Sequence, residues 1–475
     1  MRRSGKVGLA AGGVVAALAA YATLDVYDVV PGVLTRAAAT RPAVPVPVPG
    51  HSTVGPSVAP PRAPTAPDVA GFDTGPEPGA ASLKARIQAA QKAVGLTSKV
   101  TMTVRDATTG TDLYDQGAGT AMTPASTTKL LTAWAISHTL PLEGTFTTKV
   151  VSAAPGSMVL VAGGDTCLNP KAGNPNAVCG RAGVGDLATQ IAAGLKKQGL
   201  NSVRLAYDAS YAPGPATAPG WGQDLLDMGF TTRIAMLGLS TQHAESGPAV
   251  ANPDASTTAA LATALRAKGI AATVGTPATA PVGAATVASV QSAPLLDQLG
   301  YALQESDNAM IESLARQAAY RSGTRADSEA ALTRWLLARL AAGGFDLTGV
   351  KLADVCGLSD GTTLTARLLG DLLVGATSGK DPQFAPVLTR LAVGGWSGTL
   401  GNRYGTPATR DGAGWVRAKT GSLPSVNSLA GTVLDVQGRL LVFAIISNGP
   451  QPQGPTGARA AIDTVVTAIH ECGCP

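Results

Sequence analysis

Three short polar motifs, set far apart along the chain, constrain the fold of this protein more than any other feature. They are Ser126-Thr127-Thr128-Lys129, Ser306-Asp307-Asn308 and Lys419-Thr420-Gly421. Each has an ordinary explanation when taken singly: a serine at a helix start, a polar loop and a solvated lysine at a strand end. A Ser-x-x-Lys pattern is also expected by chance about once or twice in a chain of this length. Their order, spacing and local context together indicate a common function, so we predict a fold that brings all three motifs into one cleft.

The first motif has the spacing of a nucleophile and its base. Ser126 and Lys129 lie three residues apart, so on a helix their side chains share one face. A serine hydroxyl is a poor nucleophile until a base takes its proton, and a lysine serves only if burial or a nearby positive charge such as Lys419 lowers its pKa. We expect the N–H groups of the helix start and of Ser422 to face the developing oxyanion.

The other two motifs supply polar groups for a substrate. Ser306 and Asn308 lie two residues apart on a predicted connection, where the hydroxyl would relay a proton to a leaving amine and the amide would hold the substrate backbone. Lys419 and Thr420 end a predicted strand and would bind a carboxylate. Gly421 would let a substrate lie along the strand edge as an added strand.

The four histidines do not suggest a different catalytic group. His51 lies in a proline-rich stretch, and His138, His243 and His470 lie far apart in unrelated contexts. A Ser-His-Asp triad is therefore unsupported, although the sequence does not rule it out. We expect each histidine to be solvated or to take part in an ordinary hydrogen bond.

Length and composition predict more than one folded unit and argue against some partners. The 475 residues exceed what a single core usually supports, and the chain is 45% hydrophobic but only 4% aromatic, which is typical of an Ala-rich globular protein. The net charge is +5, and only 14% of residues are charged, without a dense basic run among aromatics. A nucleic-acid partner is not expected, and we expect no cofactor.

The amino terminus predicts export. A basic start precedes residues 7–24, which are uncharged and rich in Ala, Val and Gly. This arrangement is typical of a secretory signal, with a small-x-small cleavage pattern at Ala20 and Ala22, but 18 uncharged residues could also span a bilayer as an anchor. We assign residues 1–30 to one of these two alternatives. The proline-rich residues 31–80 would then form a semi-rigid tether outside the cell membrane.

Five cysteines in an exported chain would lie in an oxidising compartment. Cys167 and Cys179 enclose a short Asn/Pro/Gly-rich loop and are the predicted pair. One of Cys472 and Cys474 is expected to reach Cys356 and to leave one thiol over. A zinc site is the alternative, but no paired histidines stand nearby to complete it.

Hydrophobic periodicity predicts an α+β fold, an α/β sandwich. Strand patterns occur early at residues 100–104 and 111–115 and late at residues 415–419, 428–436 and 440–447. Their pairing would give a five-stranded antiparallel sheet, with the helical segment between them packed on one face.

Hydrophobic periodicity and local composition also predict the helices and the domain boundaries. Helices are predicted over residues 83–94, 257–268, 295–303, 309–320 and 458–471, and another opens with Thr123 as N-cap and Pro124 as its first residue. Residues 81–149 and 282–475 would form the unit that carries the motifs. Residues 150–281, with short strands and Gly/Pro-rich loops, would form an inserted, mostly-β domain.

With these motifs the chain resembles the D-Ala-D-Ala carboxypeptidase and endopeptidase family of low-molecular-mass penicillin-binding proteins. The resemblance is to the group with an insertion between the first two motifs, and it covers roughly residues 80–470. Further stretches that carry it are residues 122–129, 160–165, 214–215, 219–221, 354–359 and 398–404. The resemblance implies the penicillin-recognising serine transpeptidase and beta-lactamase-like fold.

The resemblance also implies roles for the motif residues. Ser126 would be acylated by the penultimate D-Ala of a peptidoglycan stem peptide, with Lys129 as base and Ser306 as proton shuttle. Lys419 and Thr420 would hold the terminal carboxylate, and water would release the acyl group. Beta-lactam antibiotics would act as covalent inhibitors.

Two further residues follow from the resemblance alone. Asp165 and Arg403 are the candidates for recognition of the stem peptide's diamino acid side chain. The chain departs from the family at Cys356, where serine is common, and at Thr166-Cys167, where a proline context is more usual.

Two other functions stay open at this point. A serine beta-lactamase shares the fold, but no glutamate stands out as its dedicated deacylating residue, and the large insertion argues against it. A catalytically weak wall-binding protein would retain the pocket, but the intact motifs disfavour it. Trimming of terminal D-Ala and cleavage of cross-links use the same acylation chemistry, so the sequence does not separate them.

Overall fold

A computed structural model describes residues 75–94, 96, 99–243, 249–449 and 454–473. Its α-helices are α1 (Ala80–Ala93), α2 (Lys129–Ser137), α3 (Val184–Lys197), α4 (Gln223–Asp227), α5 (Pro253–Arg266), α6 (Leu295–Gln304), α7 (Asn308–Arg321), α8 (Glu329–Ala342), α9 (Ala366–Thr377), α10 (Ala385–Leu388) and α11 (Gly454–His470). Its strands are β1 (Val100–Asp106), β2 (Asp112–Gln116), β3 (Thr147–Ala154), β4 (Ser157–Val161), β5 (Ser202–Asp208), β6 (Ala271–Val274), β7 (Thr286–Gln291), β8 (Ala392–Val393), β9 (Val416–Leu423), β10 (Val426–Leu434) and β11 (Leu440–Asn448).

The predicted signal or anchor, residues 1–30, lies outside the described residues, as does the tether up to residue 74. Among the helices that are described, none has both the length and the apolar character needed to cross a membrane.

The first sheet has the strand order β2-β1-β11-β10-β9-β8, and all its pairs are antiparallel. It contains the five predicted strands, which confirms the predicted fold class. The sixth strand, β8, pairs Ala392 with Ala418 at the edge and was not predicted, because two residues are too short to show a periodic pattern. The third motif lies inside β9 and not at its end, since the strand continues to Leu423.

The centre of this sheet is buried on both faces because β11 is apolar at almost every position. Val442, Ala444 and Ile446 face one hydrophobic cluster, which includes leucines of α9. Phe443 and Ile445, at alternate positions, face a second cluster built with α1 and α11. The sheet is therefore the middle layer of a sandwich between helices.

The second sheet has the order β6-β5-β4-β3-β7. The pairs β4–β5 and β5–β6 are parallel, whereas β3 pairs antiparallel with both β4 and β7. Parallel neighbours need a crossover connection, and here α3 and α5 supply it. This region is therefore a mixed sheet with two fourteen-residue helices, and the predicted mostly-β content is wrong because it underestimates the helices.

The helix that follows the first motif begins differently from the prediction. Ala125 has a left-handed backbone, with φ of 50°, so the helix cannot start at Pro124. A 3-10 turn, Ala125–Thr128, leads into α2, and no side chain caps it. Thr123 is therefore not an N-cap, but Ser126 does lie in the helical turn that opens the element.

The cysteines are paired only partly as predicted. Cys167 and Cys179 form a disulfide with a Cα–Cα distance of 5.0 Å, so they are not available as zinc-binding thiolates. Cys356 is a free, buried thiol, and the prediction that a carboxyl-terminal cysteine bridges to it is wrong. Cys472 is itself disulfide-bonded.

Candidate active site

The turn that carries Ser126 packs directly against β9. A Cβ atom added to Gly421 would lie 2.6 Å from the carbonyl oxygen of Pro124 and 3.1 Å from the backbone nitrogen of Ser126. The hydroxyl of Ser428, on β10, also donates a hydrogen bond to that carbonyl oxygen. Only glycine lets the strand approach this closely, so Gly421 sets the distance between β9 and the Ser126 turn.

Lys129 links the first two motifs. Its Nζ lies 2.9 Å from the Ser126 hydroxyl, 2.6 Å from Oδ1 of Asn308 and 3.0 Å from the carbonyl oxygen of Cys356. The side chain is completely buried. A neutral amine has two N–H donors and one lone pair, which matches two fixed acceptors and one hydroxyl.

The environment of Lys129 favours this neutral form. Burial lowers the pKa of its amine, and the negative groups nearby, such as Asp354 and Asp307, oppose the shift without cancelling it. Burial is the largest cause, and not the neighbouring charge of Lys419 that the sequence suggested. The arrangement gives Ser126 an adjacent amine that is able to accept its proton.

The third motif holds Ser306. Nζ of Lys419 donates to the Ser306 hydroxyl at 2.9 Å and to the carbonyl oxygen of Thr420 at 2.8 Å, and the lysine side chain is completely buried. The Thr420 hydroxyl donates to that of Thr399 at 2.8 Å. Ser306 itself has a left-handed backbone, with φ of 58°, a conformation that costs a non-glycine residue about 1–3 kcal/mol.

Asn308 has a different place from the one predicted. It is the first residue of α7 and does not lie on a loop. Its Oδ1 accepts from Lys129, and its Nδ2 donates to the carbonyl oxygen of Phe230 at 2.8 Å. Each end of the amide thus makes one hydrogen bond within the protein, and the Oδ1 contact holds Lys129. The amide keeps a second N–H and a second lone pair, so its predicted contact with a substrate backbone stays a prediction.

Of the two residues inferred from resemblance alone, Asp165 is buried, and Arg403 is half-buried with 8% of its side chain exposed. Asp165 accepts the N–H of Cys167 at 2.9 Å, and burial raises the pKa of its carboxyl to about 6. Its predicted contact with a substrate's diamino acid stays a prediction. Arg403 forms a two-pronged ion pair with Asp463 of α11, with distances of 3.0 and 2.6 Å. The structure thus shows Arg403 in an ion pair within the protein, and its predicted recognition of a substrate stays a prediction.

Ser422 follows the third motif on β9. It lies opposite Asn427 of β10, and its hydroxyl donates to the Asn427 side chain at 3.2 Å. Its backbone N–H stays a predicted oxyanion donor.

Sequence reasoning missed a loop that supports Lys129. The carboxylate of Asp354 accepts N–H groups from Cys356 at 3.2 Å, Gly357 at 2.6 Å and Ser359 at 2.6 Å. The indole of Trp221, from the region of the second sheet, donates to the same carboxylate at 3.2 Å. This network aims the Cys356 carbonyl at Lys129. The stretch was noticed only as part of the resemblance, because a lone Asp-x-x-Gly pattern does not reveal which backbone it will organise.

A family model described as D-Ala-D-Ala carboxypeptidase 3 (S13) matches residues 83–246 and 239–469. The chain belongs to this family. Among curated relatives, carboxypeptidase DacB of Mycolicibacterium smegmatis is 39% identical over 387 residues, which span 79% of this chain and 81% of that protein. A carboxypeptidase of Mycobacterium tuberculosis is 36% identical over 427 residues, which span 87% and 90%. This S13 member is therefore a serine-type D-Ala-D-Ala carboxypeptidase.

A solved structure supports the fold of the S13 chain independently. Penicillin binding protein 4 of Haemophilus influenzae superimposes with a TM-score of 0.62 at 20% identity, covering 80% of this chain and 98% of that one. The fold predicted from the resemblance is thus confirmed.

Proposed function

We propose that Ser126 is the nucleophile of this carboxypeptidase and that its substrates are the stem peptides of peptidoglycan. The observation that carries the proposal is the buried amine of Lys129, 2.9 Å from the Ser126 hydroxyl. A weak nucleophile with a positioned base beside it is the arrangement that acyl-enzyme chemistry needs.

The reaction would run in two balanced steps. Lys129 takes the hydroxyl proton while Oγ of Ser126 bonds to the carbonyl carbon of the penultimate D-Ala. The C–N bond then breaks, and the terminal D-Ala leaves as an amine that receives a proton through Ser306 and the lysines on either side of it. Water adds to the resulting ester, again with Lys129 as base, and releases the shortened peptide together with free Ser126.

Substrate binding would use the open edge of β9. The edge strand β8 pairs with Arg417 and Ala418 of β9, and among the described residues no strand pairs with Thr420 or Gly421 on that side. An extended peptide fits such an edge as an added strand. Lys419 and Thr420 would bind its terminal carboxylate, and the N–H groups of Ser126 and Ser422 would stabilise the oxyanion.

The place of action follows from the substrate. A carboxypeptidase that acts on peptidoglycan works in the cell-wall space, and the predicted signal or anchor at residues 7–24 would deliver it there. Export itself, and the choice between cleaved signal and retained anchor, rest on the sequence pattern alone.

A fluorescent penicillin tests the nucleophile. We expect a stable covalent label on the wild-type protein and none on Ser126→Ala, whereas the control Ser210→Ala, at an exposed serine, should label normally. Undiminished label in Ser126→Ala would refute the assignment. Rapid release of the label would favour a beta-lactamase. Digestion of purified peptidoglycan, with assay of free D-Ala and of monomeric fragments, would separate carboxypeptidase from endopeptidase activity.

A further inference from the structure

Helix α7, which carries the second motif at its start, is held along its length by the region of the second sheet. Four of its side chains are buried and hydrogen-bonded to backbone carbonyls of that region: Asn308 to Phe230, Ser313 to Ala235, Arg316 to Pro215 and Gln317 to Gly164, at 2.8–3.0 Å. In each of these contacts the acceptor is an uncharged backbone carbonyl. The contact between His243 and Asp307, at the start of the helix, is different because both side chains are ionisable.

That contact joins His243 to Asp307, the middle residue of the second motif. Nδ1 of His243 lies 2.5 Å from one carboxylate oxygen of Asp307, and Nε2 lies 3.0 Å from the carbonyl oxygen of Thr166. Both partners are acceptors only, and a neutral imidazole has only one N–H. The ring satisfies both contacts only when both nitrogens carry protons, so the geometry requires the imidazolium form.

Asp307 connects this cation to the catalytic groups. Its other carboxylate oxygen accepts the N–H of Met310 at 2.8 Å and so caps α7. Its two chain neighbours are the residues that face the lysines: Ser306 accepts from Lys419, and Asn308 accepts from Lys129. Asp307 is joined to both residues by the backbone, so a shift of Asp307 would move both. Ser306 also has a left-handed conformation, which persists only where surrounding contacts hold it.

We propose that His243, as an imidazolium ion, is a positioning residue that clamps Asp307 and thereby holds Ser306 and Asn308 against the two lysines. This inference rests on the proposed roles of Ser126 and the lysines. It gives the histidine, which the sequence suggested to be an ordinary hydrogen-bonding partner, a specific part in setting the geometry of acylation.

The groups around His243 favour its charged form. Asp307 faces it from α7, Asp165 from the segment after β4, Arg233 lines the same small cavity, and the ring of Tyr301 lies edge-on at 6.2 Å. Burial acts to lower the pKa of His243, but the Asp307 carboxylate, the Thr166 carbonyl and the Asp165 charge outweigh it, and the pKa is raised.

The sign of the pH effect follows from this shift. The same ion pair holds the pKa of Asp307 below its usual value despite burial, so the pair persists in mild acid. A histidine with a raised pKa keeps its stabilising charge below the ordinary value of 6.5 and loses it as the pH rises through the raised value. The ion pair between His243 and Asp307 should therefore be lost at alkaline pH, and the rate of acylation should fall in that range.

Nuclear magnetic resonance of histidine-labelled protein tests the charge directly, without any assay of activity. The chain has four histidines, so the ring signals are few. We expect the ring of His243 to be doubly protonated at neutral pH and to titrate above 6.5. Its signal is assigned by its disappearance in His243→Gln, and it should titrate at lower pH in Asp307→Asn, which keeps a capping oxygen but removes the charge. A neutral His243 ring at pH 7 would overturn the proposal, even if penicillin still labelled Ser126.

The pH profile of penicillin acylation tests the consequence. His243→Gln should slow acylation by about tenfold at neutral pH, the effect expected for loss of one charge-assisted hydrogen bond, and should remove the alkaline limb set by the histidine. Asp307→Asn should move that limb to lower pH. The matched control is His138→Gln, which breaks another histidine–aspartate contact, 3.1 Å to Asp381, away from the motifs. A His243→Gln profile that superimposes on the wild-type profile would refute the positioning role of His243. Absence of label on Ser126 in the wild type would instead refute the proposed function.

Discussion

The amine of Lys129 lies 2.9 Å from the hydroxyl of Ser126, and no part of the Lys129 side chain reaches solvent. Burial of an ammonium group without a paired carboxylate is costly, so the site favours the amine that has given up its proton. The two remaining polar partners of the amine, Asn308 and the Cys356 carbonyl, accept its two N–H groups and leave its lone pair for the serine. The lone pair of the Lys129 amine therefore faces the Ser126 hydroxyl before any substrate binds, as the proposed role of Lys129 as base requires.

Replacement of Lys129 tests its role as base. Lys129→Met keeps an unbranched side chain but removes the amine, and acylation by penicillin should slow by about 10²–10⁴-fold, the usual contribution of a general base. Stopped-flow measurement of labelling gives the rate. The exposed Lys351→Met variant is the control and should react like the wild type. If Lys129→Met retained the wild-type rate, another group would have to be the base.

The pH dependence on the acid side should belong to the same lysine. Because burial lowers the pKa of Lys129 below its ordinary value of 10.5, acylation should rise with pH through the lowered pKa as the amine loses its proton. Between that value and 10.5 the unfolded chain binds the extra proton, so stability should also rise with pH in this range. Rate and urea-unfolding profiles measured side by side check both trends. The residual activity of Lys129→Met should lack this acid limb.

Replacement of Gly421 tests the close approach of β9 to the turn that carries Ser126. In Gly421→Ala the new methyl group would lie 2.2 Å from the Ser428 hydroxyl and 2.6 Å from the Pro124 carbonyl oxygen, so the strand or the turn must move. Overpacking of this kind costs about 1–3 kcal/mol, and we expect acylation to fall as well. At Gly405, by contrast, an added methyl group meets nothing within 4 Å, so Gly405→Ala is the control. Thermal melts and labelling rates that are equal for the two variants would contradict the prediction.

Arg403 tests whether a residue inferred from resemblance acts on substrate or on stability. Arg403→Ala leaves Asp463 as a buried, unpaired carboxylate, and loss of one partner of such a pair costs about 3–5 kcal/mol. The free energy of unfolding should fall by this amount, while the KM for a stem-peptide substrate stays unchanged below the unfolding temperature. Arg410→Ala removes a partner of an exposed ion pair, and its effect on stability should be small. A rise in KM for Arg403→Ala without loss of stability would support the predicted substrate role.

Local sequence was sufficient where a short stretch defines its own conformation. The continuous apolar run at residues 440–447 predicts a buried strand, and the three-residue spacing of Ser126 and Lys129 predicts that their side chains meet on a helical turn. The structure has both features, and the first sheet contains the predicted strands. One of the two crossover helices of the second sheet, α5, was predicted over residues 257–268, but α3 was missed because Gly/Pro-rich loops around it suggested a mostly-β region.

The sequence by itself determined which residues have the chemistry for acyl transfer, because a hydroxyl, two amines and their order along the chain are properties of the residues. Only the tertiary structure decided how they are held. It gave the Asn308 amide to Lys129 and Phe230, paired Arg403 with Asp463, left Cys356 free and set His243 on Asp307 across 64 positions of chain. The physical reason is that a polar side chain reveals its need for a partner locally, whereas packing of distant elements selects which partner it meets.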